Sequence, residues 1–120
     1  MRLVNIFRKV KQYTATIASG AALSDEFRFD GFALAVIHMP STWTAASIGF
    51  KVASASGGTF LPLYDEDGTL VQIDSPTADK AYVAPAELAA AQYVKLWSQD
   101  GSGNDANQAA ARSIPVDVKT

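Results

Sequence analysis

The 120-residue sequence contains no cysteine, which excludes disulfides and thiolate metal sites. It also lacks any apolar run near the roughly 20 residues that a membrane-spanning helix needs. The first ten residues include an early arginine but no long apolar run and no small-residue cleavage site. We therefore interpret them as part of the mature protein and not as a signal peptide.

Sequence motifs for catalysis and phosphate binding are missing too. There is no G-x-S-x-G motif, and the pair Gly57-Gly58 has neither a following lysine nor a strand–helix setting. The one histidine, His38, lies on an apolar run in phase with Leu34 and Val36. A histidine in that position is usually a hydrogen-bonded structural residue. We therefore predict no enzymatic activity and no cofactor.

Two acidic segments invite a metal-binding interpretation, but turn chemistry accounts for both. Asp65-Glu-Asp-Gly68 separates two short apolar segments, where aspartate and glycine have backbone reasons to occur. The segment from Asp100 to Asp105 loosely resembles a calcium loop, yet Asp105 replaces the glycine expected at the sixth place and the closing glutamate is missing. We predict a hairpin turn, a solvated loop and no metal site.

The rest of the chain predicts an all-β domain. Its 48% hydrophobic content and its length fit one domain whose core needs no disulfide or structural metal. Short apolar or alternating segments, separated by turn residues, predict eight or nine strands. They lie near 13–17, 27–30, 32–39, 48–53, 60–64, 70–74, 80–84, 92–98 and 112–118. The pattern favours an antiparallel β-sandwich or jelly roll over 13–120, with one short helix at 84–91 and a central strand at 32–39 covered on both faces.

Charge is distributed unevenly along the chain. Residues 1–12 contain four basic residues and no acid, which leaves six of the ten basic residues and all 12 acidic ones in the remainder, a net charge of −6. We therefore predict a basic N-terminal arm over 1–12. Such a segment can pair with an acidic body of a neighbouring copy or another protein, or it can be a solvated tail. Nucleic acid is a less favoured partner.

Aromatic residues leave one alternative open. We expect Trp97, in a predicted strand, to belong to the core. Trp43 follows the end of a strand, so it either caps one end of the sandwich or forms an exposed contact. Trp43 and Tyr64 together could also stack on sugars, as in carbohydrate-binding modules.

Several segments of the chain resemble small proteins of tailed-phage and prophage genomes. The matching segments are T-A-T-I-A-S-G-A-A-L-S-D (14–25), the run 31–54, L-Y-D-E-D-G (63–68), Y-V-K-L-W-S (93–98) and N-Q-A-A-A-R (107–112). The most specific part is P-S-T-W-T-A-A, Pro40–Ala46. The resemblance covers about nine-tenths of the chain and excludes the basic arm. It implies a virion structural component, and several phage cement proteins are similar jelly rolls.

These observations lead to one favoured function and two alternatives. We expect a capsid cement or decoration protein, assembled in the bacterial host cytoplasm, that binds the major capsid protein or other virion proteins and forms dimers or trimers. The alternatives are a head–tail or neck component and a carbohydrate-binding surface module. The residues expected to contact partners are Arg2, Leu3, Ile6, Phe7, Arg8, Lys9, Lys11 and Trp43.

Overall fold

A computed structural model describes residues 9–120. They form two antiparallel sheets that enclose an apolar core. The strands are β1 (Val10–Ile17), β2 (Phe27–Arg28), β3 (Leu34–His38), β4 (Ser47–Ala53), β5 (Leu61–Pro62), β6 (Gln72–Ile73), β7 (Ala81–Val83), β8 (Tyr93–Gln99) and β9 (Arg112–Lys119). One 3₁₀ helix, Ala86–Ala90, lies between β7 and β8.

The order of the strands confirms the predicted fold class. One sheet has the order β1-β9-β3-β7, and the other has the order β2-β8-β4-β5, with β6 also paired to β4. Every pairing is antiparallel. Strands that follow each other in sequence from β1 to β4 alternate between the two sheets. With β6 set aside, this is the arrangement of an eight-stranded jelly roll.

The core follows from two-residue alternation in the long strands. In β9, Ile114, Val116 and Val118 are buried, while the residues between them face outward. The register continues this pattern into β1, where Ala15 lies opposite Ile114 and is buried too. Because side chains of a strand point alternately to the two sides, one register fixes which face of the whole sheet is buried.

The predicted central strand was correct in position and wrong in burial. β3 lies inside its sheet, between β9 and β7. However, only Ala35 and Ile37 are buried, and Leu34 remains 48% exposed. The other sheet covers one side of β3, and no described element packs over its other side. Apolar side chains therefore stand on the outside of the sandwich.

The observed bounds differ from the predicted ones by up to three residues at an end, and the differences at the helix and at the start of β1 matter most. The short helix predicted at 84–91 is a five-residue 3₁₀ helix, Ala86–Ala90, and its one buried residue is Leu88. No helix in residues 9–120 combines the length and apolar character that crossing a bilayer requires.

β1 begins at Val10, so 10–12 belong to the sandwich and not to the arm. The rest of the predicted arm before Lys9 lies outside the described residues.

Candidate interaction surfaces

The four-stranded sheet carries an exposed apolar surface. Its outward side chains include Val10, Leu34 and Val83, which are 72%, 48% and 74% exposed. The register places Leu34 and Val10 on either side of Lys119, and Val83 directly opposite the half-buried Val36. We call this surface the outer sheet face. It consists of the outward residues Val10, Gln12, Leu34, Val36, His38, Val83, Asp117 and Lys119.

A shallow groove of about 420 Å³ runs across part of this face. Its walls come from the first half of β1, from the start of β3 and from the end of β9. The apolar lining residues are Val10, Leu34 and Val36, together with Ala35 and Val118 below them. Most large apolar side chains on a soluble protein are covered, so a grooved apolar face is a candidate contact surface.

Polar side chains across the middle of the outer sheet face form hydrogen bonds with one another. Asp117 accepts a hydrogen bond from Gln12 Nε2 at 3.1 Å on one oxygen. Its other oxygen lies 2.8 Å from His38 Nε2. The His38 and Asp117 side chains are 41% and 50% exposed. His38 is thus hydrogen-bonded within the sheet, and no serine or threonine hydroxyl is among its hydrogen-bond partners in residues 9–120.

Part of the outer side of the five-stranded sheet, around Trp97, is covered by the chain itself. Trp97 points away from the core, opposite Gly49 on β4, yet it is only 2% exposed. The loop after β8 covers the ring, and Asp105 Oδ1 accepts a 2.7 Å hydrogen bond from Trp97 Nε1. Lys51 Nζ lies 4.6 Å from the ring centroid. Trp97 is therefore buried as predicted, but on the outside of the sheet. The two outer sides differ accordingly: a loop covers the large aromatic side chain on one, and apolar side chains remain exposed on the other.

Gly49 makes this closure possible. A Cβ atom at this position would lie 2.8 Å from Trp97 Cε3 and 3.2 Å from Gln99 Cγ. Both distances are shorter than ordinary van der Waals contacts. The indole can approach β4 this closely only because residue 49 has no side chain.

Two segments of the phage resemblance, Pro40–Ala46 and 107–112, meet in one hydrogen-bond network. Gln108 is fully buried, and its amide bonds Thr44 twice: Oε1 accepts from Thr44 N at 2.9 Å and Nε2 donates to Thr44 O at 3.0 Å. Arg112 Nε donates to Gln108 Oε1 at 3.1 Å. The other guanidinium nitrogens of Arg112 donate to the hydroxyls of Thr42 and Thr44. These residues therefore join two loops at one end of the sandwich, which is a structural role.

Trp43 belongs to this same end of the sandwich. Its ring is half-buried and packs against the core, and its Nε1 donates to Ala46 O at 3.1 Å. This geometry fits a cap over the sandwich end. Tyr64 is 49% exposed. The carbohydrate-binding alternative remains a prediction, with Tyr64 offering more free ring surface than Trp43.

The acidic segments fold as the turn chemistry predicts. Asp65 Oδ1 accepts hydrogen bonds from the backbone N–H groups of Asp67 and Thr69, which closes the hairpin turn. Asp100 accepts from Ser102 N and from both the side chain and the backbone N–H of Asn104. These bonds, the Asn104 side chain first, lower the pKa of Asp100. Within residues 9–120, no group of three or more metal-ligating side chains comes together.

Of the predicted partner-binding residues, Arg2, Leu3, Ile6, Phe7 and Arg8 lie outside the described residues. Lys9 and Lys11 sit where the arm joins the sandwich. Thr120 N donates to Lys9 O, and Lys9 N donates to the side-chain Oγ1 of Thr120. Lys11 Nζ lies 4.8 Å from the centroid of the Tyr13 ring.

Sequence reasoning missed the apolar residues of the outer sheet face. Leu34 and Val36 were assigned to a fully covered strand, and Val83 to an ordinary short strand. The signal that could have found them is the alternation of apolar and polar residues in β9. A strand with polar outward positions has at least one uncovered side. The partners of those outward positions on β1 and β3 then become exposed as well.

Comparisons with known proteins bear on the fold. No protein-family model and no curated protein sequence matches the chain. Among solved structures, the chain is similar to the crystal structure of SPBc2 prophage-derived protein YomS, with a TM-score of 0.63 and 12% sequence identity. The superposition covers 99% of this chain and 100% of that chain. At this identity the likeness shows a shared fold along the full length of both chains.

Proposed function

We propose that this chain is a structural protein of a tailed-phage particle, and that it acts as a cement protein on the head shell. Two kinds of likeness support the phage assignment. The segments from Thr14 onward resemble phage and prophage proteins, and the fold is shared with a prophage-derived protein over its full length. Neither likeness reaches the cement role itself, which rests on the surfaces described above.

The observation that carries the proposal is the contrast between the two sheets. The loop after β8 covers Trp97 on the outer side of the five-stranded sheet, whereas the outer sheet face leaves Val10, Leu34 and Val83 exposed. An open, rigid sheet with apolar side chains suits a flat contact with another protein. Burying such side chains stabilises a complex by roughly 25 cal/mol per Å² of apolar surface before the costs of association. We infer that this face lies against the shell.

The arrangement of the polar groups on the outer sheet face favours a protein partner over a small-molecule ligand. Gln12 and Asp117 line the groove, but Asp117 bonds both Gln12 and His38, so these polar groups are engaged with one another. The groove beside them is open to solvent along its length. A small ligand needs convergent polar groups in an enclosed site, whereas a protein surface needs an apolar centre with a polar rim.

The basic arm gives the second contact of the proposal. In the cement mechanism, Leu3, Ile6 and Phe7 are buried on an adjacent subunit, and Arg2 and Arg8 lie near acidic side chains. Many weak contacts repeated over a shell add up to durable attachment. A deletion that tests the arm should end at Arg8, because 10–12 pair with β9.

Co-sedimentation with empty shells of the major capsid protein from the same genome tests this function. We expect Leu34→Asp and Val83→Asp to lower occupancy at least about tenfold, the effect of losing 1.4 kcal/mol per contact. The matched control is Leu61→Asp, since Leu61 is 61% exposed but lies on the other sheet. Equal binding by all three variants would contradict the assignment of the outer sheet face.

Further binding and activity measurements separate the alternatives. Binding to purified neck or tail proteins, without binding to shells, would place the protein elsewhere on the particle. A glycan-array signal that Tyr64→Ala abolishes would favour the carbohydrate-binding module. Hydrolase screens on the isolated protein test the prediction that it has no enzymatic activity.

A further inference from the structure

β1 has a free edge over most of its length. It is the first strand of its sheet, and its pairing partner is β9. On its other side, Asp25 covers the end of the strand: Asp25 N donates to Thr16 O at 3.3 Å, and Thr16 N donates to Asp25 Oδ1 at 2.7 Å. Backbone groups of a strand alternate in direction, so Val10, Gln12 and Thr14 point to the same side as Thr16. Within residues 9–120, no other residue pairs with these three.

We propose that this edge pairs with the same edge of a second copy, antiparallel and around a two-fold axis at Gln12. In this register, Gln12 lies opposite Gln12 of the second copy, and Val10 lies opposite Thr14 of the second copy. All three free residues of each copy then gain backbone partners. If the register between the two β1 strands were shifted by one residue, the three free residues would lie opposite residues whose backbone groups already bond β9.

Side chains along the edge suit this register. Lys11 would lie opposite Tyr13 of the second copy, so like charges do not face each other. Lys11 Nζ already lies 4.8 Å from the Tyr13 ring centroid of its own chain, which shows that the two side chains can form a cation–π contact in this strand. Val10, 72% exposed in the single chain, would pack beside Thr14 of the second copy.

Charge complementarity favours a second copy over another occupant. The register places Lys9 of each copy opposite Ala15 of the second copy, next to Thr16, where Asp25 closes the edge. The exposed carboxylate of Asp25 lies beside Thr16. The basic side chain of Lys9 in each copy would therefore lie near the acidic side chain of Asp25 in the other copy. The two outer sheet faces would lie on the same side of one continuous eight-stranded sheet.

This inference stands apart from the shell-binding proposal, because two copies pair without a shell. The absence of cysteine from the chain provides a direct test with the full-length variant Gln12→Cys. Hydrogen-bonded antiparallel partners lie about 5.5 Å apart between Cα atoms, inside the range that a disulfide spans. The matched control is Leu61→Cys, an exposed position on β5 of the other sheet.

Under mild oxidation at micromolar concentration, we expect Gln12→Cys to convert almost completely to a covalent dimer and Leu61→Cys to convert at least tenfold more slowly. Light scattering on the unmodified chain should give twice the 12.7 kDa monomer mass. Thr14→Pro removes an edge N–H that β9 does not use, so it should give a folded monomer.

Three results would overturn the proposal. One is a monomeric unmodified chain together with equal oxidation rates for the two cysteine variants. Another is a Thr14→Pro variant that folds and still dimerises like the unmodified chain. The third is a dimer that forms only after residues 1–8 are deleted, because the chain's own arm would then be the occupant of the edge. None of these measurements involves shells, so failure of the dimer and failure of the cement role can be told apart.

Discussion

Gln108 holds one end of the sandwich together, and replacing it with alanine should destabilise the whole domain. Gln108 makes hydrogen bonds with Thr44 N, Thr44 O, Arg112 Nε and Ser98 Oγ. Gln108→Ala removes all of them. Arg112 keeps two threonine hydroxyls, and Ser98 Oγ keeps its bond to Ala106 O. Within residues 9–120, the N–H and C=O of Thr44 have no other partner.

The expected cost follows from these two orphaned backbone groups. A buried polar group without a partner costs about 1–3 kcal/mol. Thr44 is only half-buried, so water reaches it in part and the lower half of that range applies. The loss in free energy of unfolding should be about 2–4 kcal/mol, a large share of the roughly 5–15 kcal/mol that holds a typical domain together. The corresponding decrease in Tm is roughly 10 °C.

Urea unfolding followed by far-UV circular dichroism measures this loss. The transition midpoint should fall while the slope m stays unchanged, because the unfolded surface is nearly the same. Asn107→Ala is the matched control, since Asn107 is exposed and adjacent in sequence. We expect that control to remain within about 0.5 kcal/mol of the unmodified chain. A Gln108→Ala variant as stable as the control would refute the structural role of the network.

Three further substitutions test other parts of the structure. Gly49→Ala should lower the free energy of unfolding by about 1–3 kcal/mol in urea, because its Cβ would meet the Trp97 ring; unchanged stability would show that the indole moves freely. Asp105→Ala should expose Trp97, so its fluorescence should shift to the red and acrylamide should quench it more; an unchanged spectrum would mean that the loop closes without this bond. Hydrogen bonds from Ser56 Oγ and then Gly57 N lower the pKa of Glu26. The ionised Glu26 side chain therefore stabilises the fold at pH values above its ordinary pKa. This stabilisation is lost as the pH falls through the lowered pKa. Glu26→Gln should therefore flatten the decline of Tm below about pH 4.5, and a parallel decline in both proteins would contradict this.

The sequence predicted the fold class because most strands carry a local signal. Turn residues such as Asp65 to Gly68 mark the ends of strands, and alternation marks the long ones. β2, β5 and β6 are only two residues long, too short for any period to be read. Their positions depend on partners far away in the chain, and the predicted segments are two to three residues longer than the observed strands.

The surfaces were less predictable, because a run of apolar residues does not say how many of its sides are covered. β3 reads as a fully buried strand, yet Leu34 is exposed because nothing described lies over that side of the sheet. Trp97 presents the opposite case, since a side chain on the outer side of a sheet is buried by a polar loop. Both outcomes are decided by tertiary packing, which the local pattern does not contain.

The junction between arm and sandwich has a mechanical consequence. The arm leads straight into β1 at Lys9, and all eight residues of β1 are in register with β9. Tension along the strand axis would strain the whole ladder at the same time, so its rungs would share the force. Tension perpendicular to the strand would open the rungs singly, beginning beside Thr120. The direction in which an attached neighbour pulls therefore determines how much force the junction withstands.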